Sequence, residues 1–554
     1  MNNDKIEEVI RKRRLIFDQA LQEIRRPNKE DIFEHLLLIG VPPDEISQPR
    51  FKILCLFPYY PLKIEPSEYE SIIDFAFPAG LKKCEPYSQH HSAIIDEFAF
   101  AFKKEGNLQY GLCVQFKVPS DVDPFFVSET NRCYPFCLLM MTRDMSFTSH
   151  FRFLTCLVKN FIGWEAIYRE FEFMKDFTPF KVEIQEGDEP IFLESMGRVS
   201  SFARYGKMHI TKDFARAATA YRSIIRGKQY IQCKFSDSTE IFIPPNVEHE
   251  SSAYLLGLAA LDSLFSHLST YNIVKLFTAV VLEHIIIVIT DKPSLASNCI
   301  LALRSLVHPL KILSPISPIL PAKPKYEAIL GCPSPIICGV LKNPNLDLSE
   351  TCDEKCIVDI DNGSVIDDEL DVLGQILPRA DAIKEDIERI LAANHNLIEV
   401  PPRHIYSNGK NIRNPDWGSF YAADNHVSMP LHYMSSINPK YIFTATVVGK
   451  IMKVFQRRFI KELYENMEMC FVTETTDSLK PVIIFNQEIF KGQPYAKTND
   501  KFIKRFMQTS IFDEYVQRKL DYLTILKTAV MNESKCREME EFLRVYDEIT
   551  SMLD

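Results

Sequence analysis

Residues Leu282 to Leu310 read LEHIIIVITDKPSLASNCILALRSLVHPL, and their spacing decides what the rest of the chain is. Ile285, Ile286, Ile287, Val288 and Ile289 form an unbroken β-branched run, the pattern of a strand buried on both faces. Asp291 stands where it would cap a following helix, and Pro293 suits that helix's first turn, where no intrahelical N–H partner is needed. Leu295, Cys299, Ile300, Leu303, Leu306 and Val307 then share one helical face, and Pro309 ends the helix by pushing His308 out of helical geometry. The stretch predicts a strand–helix crossover of an α/β fold. Glu283, His284, Asp291 and Lys292 interrupt its apolar runs, which never reach the roughly 18 residues of a membrane span.

A chain of 554 residues is too long for one core and predicts several modules. Apolar residues are 46% and charged residues 25% of the chain, as in folded globular proteins. Sixty-four Lys and Arg against 74 Asp and Glu leave a net charge of −10, which argues against a nucleic-acid backbone as the main partner. The 14 cysteines are too sparse for a disulfide scaffold. Cys55, Cys113 and Cys299 sit inside apolar patterns as small hydrophobes, so a reducing, cytoplasmic compartment is expected. The N-terminus has neither the pattern of a signal peptide nor that of an anchor.

Residues 1–30 predict an amphipathic helix whose Arg11-Lys12-Arg13-Arg14 cluster reads first as a solvated face and second as a weak contact with anionic lipid. Residues 31–165 are strand-rich. A hairpin is expected around Glu105-Gly106-Asn107, and a helix carries Phe147, Phe151, Leu154, Leu157 and Val158 on one face. Residues 166–250 read as connector, with a hairpin in YIQCKFSDSTEIFIPP. Residues 251–405 hold consecutive helices, the second capped by Ser269 or Thr270, then the 282–310 crossover and a strand in KCIVDIDNGSV closed by Asp361-Asn362-Gly363. Residues 406–440 read as a loop or insertion, 441–530 as helical and 531–554 as a C-terminal helix.

Few motifs of known chemistry occur in the sequence. Gly409-Lys410 lacks the rest of a phosphate-binding loop, and no G-x-G-x-x-G, H-E-x-x-H or G-x-S-x-G occurs. Cys133 with Cys137, and Cys352 with Cys356, have no second pair to complete a zinc site, and adjacent His90-His91 would point to opposite sides of an extended segment. Asp359 and Asp361 share a strand face, as paired carboxylates do in acid–base or magnesium chemistry. They read better as turn chemistry, since no partner group is near them in sequence. Ser294 has no identifiable base. No catalytic residue, metal or cofactor is expected.

The order of these pieces resembles the tripartite DENN-domain family. FEHLLLIGVP, FKILCLFP, SIIDFAFPAG, EFAFAFKKEGNLQYGLCVQF, YPFCLLMMTRDMSF and FRFLTCLV match the upstream part over about 31–165. The 282–310 stretch with ISPILP, GCPSPIICGV and CIVDIDNGSV matches the central part. KFIKRFMQTSIFDEYVQRKL matches the downstream part. The residues that carry the central resemblance are Glu283, Asp291, Pro293, Pro309, Pro318, Pro321, Gly339, Asp359, Asp361, Asn362 and Gly363, expected to be structural. His284-Ile285 stand where the family usually has an arginine pair, and 406–440 has no counterpart.

The resemblance implies an α/β protein of two lobes, a longin-like N-terminal module and a C-terminal DENN module with a helical downstream part. It implies a Rab-type small GTPase clamped between the lobes and guanine-nucleotide exchange in membrane trafficking, which needs no nucleophile. The partner-binding residues are not identified by any motif. A DENN-fold scaffold or effector without exchange activity is the alternative. A hydrolase using Asp359, Asp361 or a lone Cys, and a peripheral membrane protein acting through the N-terminal helix, are further rivals.

Overall fold

The computed structural model describes residues 32–41, 52–57, 66–86, 94–104, 107–117, 132–160, 218, 221–222, 231–234, 239–242, 252–332, 334–343, 355–374, 376–393, 443–475 and 481–528. The helices expected in 1–30 and 531–554, the 406–440 segment, His90-His91, Cys352, Gly409-Lys410 and most of 166–250 lie outside them. The chain is mixed α/β and divides near Glu250 into two compact units.

The first unit is built on β1 (His35–Gly40), β2 (Lys52–Phe57), α1 (Pro66–Ala76), β3 (Ile94–Lys104), β4 (Asn107–Phe116), β5 (Phe136–Thr142) and α2 (Phe147–Asn160). The strands form one sheet in the order β2-β1-β5-β4-β3, with β1 antiparallel to both β2 and β5, and β4 antiparallel to β5. β5 lies at the centre, and all seven of its residues are buried, as its unbroken apolar sequence requires. The expected β3–β4 hairpin is present, its Glu105-Gly106 corner outside the described residues. Phe147, Phe151, Leu154, Leu157 and Val158 of α2 are all buried.

A polar knot closes this core. His150 lies 3.1 Å from Asp144 through Nε2 and 2.9 Å from the Tyr221 hydroxyl through Nδ1, and the Tyr221 ring stacks on Phe153 with centroids 3.9 Å apart. All three polar groups are buried, so each needs its partner in place of water. A short antiparallel ribbon, β6 (Ile231–Lys234) with β7 (Thr239–Phe242), forms the hairpin expected there.

In the second unit, α3 (Ser252–His267) and α4 (Thr270–Val281) precede β8 (Ile285–Thr290) and α5 (Pro293–Val307). Ser269 caps α4 by accepting the Asn272 N–H. β9 (Ile316–Leu320), β10 (Ile337–Leu341), β11 (Lys355–Asp359) and β12 (Ser364–Asp367) complete a sheet in the order β12-β11-β8-β10-β9. β8 is its middle strand, parallel to β10 and β11, and Ile286, Ile287 and Val288 have essentially no exposed surface. Ile285 and Ile287 pack with Leu320, Leu330, Ile336, Cys338 and Val340 on one face. α5 is buried almost all round, Ser294, Ala296, Ser297 and Asn298 included, so the one-faced pattern read from sequence understates its burial.

Both outer strands are blunted. β9 carries Pro318, which lacks the N–H a ladder needs and is tolerated at an edge; the β9–β10 register shifts there. At β12 the Lys275 ammonium donates to the Val365 carbonyl, and the Asp367 N–H donates to Asp371 Oδ2.

Next come α6 (Asp368–Leu373), α7 (Ala380–Ala393), α8 (Ala445–Phe455) and α9 (Lys461–Glu468), the last two joined by a π-turn. The 441–530 part is not wholly helical. Phe471–Thr475 (β13) and Pro481–Phe485 (β14) pair antiparallel, with Phe485 packed edge-on against Phe512. α10 (Asp500–Phe506) and α11 (Ser510–Thr528) follow, separated by a break at Met507–Thr509. Among the described residues no helix is long and apolar enough to cross a membrane.

Candidate functional site

Parallel strands end on the same edge of a sheet, so charges just past the ends of neighbouring strands meet. Lys342 follows β10, Asp291 follows β8, and Asp359 and Asp361 lie at the end of β11. Lys342 Nζ stands 2.8 Å from Asp361 and 3.2 Å from Asp359. Asp361 accepts from the Thr290 hydroxyl at 2.9 Å and from the Asp291 N–H at 3.0 Å, while Asp359 accepts from both the N–H and the side-chain amide of Asn362. Burial alone would raise the Asp359 carboxyl, but Asn362 and Lys342 outweigh it and hold it below the usual carboxylate range. The hydrogen bond to Asp361 leads the groups that raise the Lys342 ammonium. Lys342, Asp359 and Asp361 are engaged with one another and with the turn backbone, so the arrangement is a clamp on the β11–β12 turn.

Gly363 has φ of 67°, a conformation that favours glycine, and a side chain there would meet the His267 carbonyl at 2.8 Å. Its own carbonyl accepts from the Asn272 side chain. Gly339 marks a close approach: a Cβ would collide with the Pro318 carbonyl oxygen and come within 2.7 Å of Ala296 Cβ on α5. Pro321 closes β9, and Pro309 lies just past the His308 cap of α5, which ends at Val307.

Asp291 does not cap α5. Lys292 occupies the cap position without a side-chain hydrogen bond, and Pro293 opens the helix as expected. The Asp291 N–H is taken by Asp361, so the backbone turns into the helix one residue later than the sequence suggests.

A second cluster gathers at the corner between α4 and β8. Glu283, at φ 58°, accepts the Ser510 N–H at 2.6 Å and also the Ser510 hydroxyl. His284 is buried between Asp367 at 2.7 Å and Glu369 at 3.2 Å. Arg505 of α10 pairs with the same Glu369, and Lys275 of α4 pairs with Asp371. One corner therefore ties the central strand to α6, α10 and α11.

Sequence reasoning named Glu283, Asp359 and Asp361 but missed Lys342, Lys275, Arg505 and Ser510. The signal for Lys342 was its place directly after a strand parallel to β8; Ser510 is 227 residues from Glu283 and left no such signal. Among the described residues no group of His, Cys, Asp and Glu is placed to hold a metal ion. Burial pushes the Cys338 thiol up to about 12 and raises Cys299 and Cys356 as well, so these thiols are held in the protonated form.

Residues 231–363, which contain all eleven residues of the central resemblance, match the DENN (AEX-3) domain. This central segment is similar to a DENN domain. Human DENN domain-containing protein 2A is 32% identical over 137 residues, 24% of this chain and 13% of that protein. Human DENN domain-containing protein 2B is 23% identical over 257 residues, 46% of the chain and 19% of that protein. The Caenorhabditis elegans MAP kinase-activating death domain protein is 28% identical over 121 residues, 21% and 9% respectively. The aligned part thus spans at most 19% of the length of these relatives. The DENN match ends at Gly363, before Asp367 and Glu369, the carboxylates that hold His284.

Proposed function

We propose that this chain is a guanine-nucleotide exchange factor for a Rab-type small GTPase, acting in membrane trafficking. The observation that carries the reading is the DENN match over residues 231–363, a family known in general for Rab exchange. Exchange proceeds by linkage: the factor binds the nucleotide-free GTPase better than the loaded one, so each ligand weakens the other by the same factor. Loosening a nucleotide about 10⁵-fold requires roughly 7 kcal/mol of differential affinity. An extensive interface that distorts the switch loops supplies that, with the partner clamped by both lobes and no covalent step.

In this reading the eleven residues of the central resemblance, from Glu283 to Gly363, hold the frame and do not touch the partner. The Glu283, Asp359, Asp361 and Asn362 side chains and the Gly363 turn are engaged within the second unit, which supports that division of labour. The antiparallel sheet and flanking helices of the first unit support a longin-like N-terminal lobe. The basic Arg11–Arg14 cluster would add a weak contact with anionic vesicle or endosomal lipid.

The test is release of fluorescent GDP from a panel of loaded Rab proteins on addition of the purified chain. Accelerated release from one or a few members is the expected result. Tight binding to a GTP-loaded member without acceleration of any would replace exchange with an effector or scaffold role.

A further inference from the structure

Away from both charge clusters, two thiols of the first unit face one another. Cys84 lies beyond the end of α1 and Cys133 just before β5, directly opposite in an antiparallel bridge. Each donates its N–H to the other's carbonyl, at 2.8 and 2.9 Å, and the two sulfurs are 3.8 Å apart. Residues paired in this way have Cα atoms about 5.5 Å apart. That lies within the roughly 4.4–6.8 Å that disulfides span, and a small approach of the two segments with side-chain rotation closes the bond. Cys84 is half-buried while Cys133 is buried, which divides the roles: an accessible sulfur to meet a reagent and a sheltered one to resolve it.

We propose that Cys84 and Cys133 are a redox-controlled dithiol whose substrate class is a low-molecular-weight disulfide such as glutathione disulfide. The Cys84 thiol gives its proton to solvent and its sulfur attacks one sulfur of the reagent. That S–S bond breaks, a mixed disulfide forms, and one small thiolate leaves and takes up a proton. Cys133 then loses its proton, attacks the Cys84 sulfur and expels the second small thiol. Two protein thiols are oxidised by two electrons and one small disulfide is reduced to two thiols. The hydrogen bond to Cys133, followed by burial, raises the Cys84 thiol, with Lys117 opposing. The first step therefore quickens with rising pH. The product links the segment after α1 to the segment before β5 and closes a covalent loop that contains β3 and β4. Cys113 and Cys137, fully buried in the same sheet, are shielded from the reagent and serve as an internal control.

The experiment incubates the reduced full-length chain with graded ratios of reduced to oxidised glutathione, then alkylates, digests without reductant and analyses the peptides by mass spectrometry. A peptide linked through Cys84 and Cys133 should grow with the oxidised fraction and vanish on reduction with dithiothreitol, while Cys113 and Cys137 stay unlinked. Cys84→Ser should melt like the reduced wild type and leave Cys133 unlinked at every ratio. The proposal is overturned if Cys84 accumulates as a stable glutathione adduct without loss of the Cys133 thiol, if either cysteine links elsewhere, or if no thiol is lost before the chain unfolds.

Discussion

Ile287 shows how little a single central side chain can change. It has no exposed surface and lies in the middle strand, between β10 and β11 and among Leu320, Leu330, Cys338 and Val340. A carboxylate there has neither water nor a partner, so Ile287→Asp should cost about 4 kcal/mol or more and unfold the second unit instead of selectively removing the proposed exchange activity. Ile287→Val, which removes one methylene, should cost about 1 kcal/mol. Denaturant melts of both variants check this; unchanged stability of the Asp variant would remove Ile287 from the core. Residue identity told much at such positions. An unbroken β-branched run has few uses other than a buried strand, whereas Asp291 looked like a cap because its sequence neighbours do not reveal that Asp361 takes its N–H.

At the scale of elements, α11 starts on a residue from another part of the chain. Thr509 accepts the Phe512 N–H from within, and Glu283 accepts the Ser510 N–H from the α4–β8 corner. A carboxylate also suits the positive end of a helix. Glu283 holds this position at φ 58°, a left-handed conformation that costs a non-glycine residue roughly 1 kcal/mol. Glu283→Ala should therefore lose a cap worth about 0.5–2 kcal/mol and keep the backbone cost. Glu283→Gly loses the same cap but relieves the backbone, so it should be the more stable of the two by roughly 1 kcal/mol. Equal midpoints for the two variants in denaturant would refute the backbone part of this account. The crossover, the 361–363 turn and the α4 cap were legible because each is set by residues adjacent in sequence. The Glu283–Ser510 and Lys342–Asp361 contacts were not, since they join distant segments. The β13–β14 ribbon was read as helix because its few residues sit between strongly helical neighbours.

For the whole molecule, acid is the simplest probe of the two charge clusters. Asp359 and Asp371 are both held below the usual carboxylate range: burial opposes this in each case, outweighed by Asn362 and Lys342 at one and by Lys275 and the Asp367 N–H at the other. An unfolded aspartate titrates near about 3.9, so their stabilisation is complete above that pH and is lost as pH falls through the lower folded values. Melting temperature should fall as pH drops below about 4, and Lys342→Met should flatten the Asp359 share of that fall. Parallel acid profiles for wild type and variant would show that Lys342 has no part in it.

The treatment of the two outer strands of the β8 sheet also constrains how this protein meets others. With Pro318 on one flank and the Lys275 and Asp371 side chains occupying backbone groups on the other, neither flank readily accepts an incoming extended chain. Copies of the protein are thereby discouraged from zipping together into ribbons at high concentration. A binding partner is left to recognise side-chain relief on the faces and loops, a mode in which selectivity between similar partners can be tuned one substitution at a time.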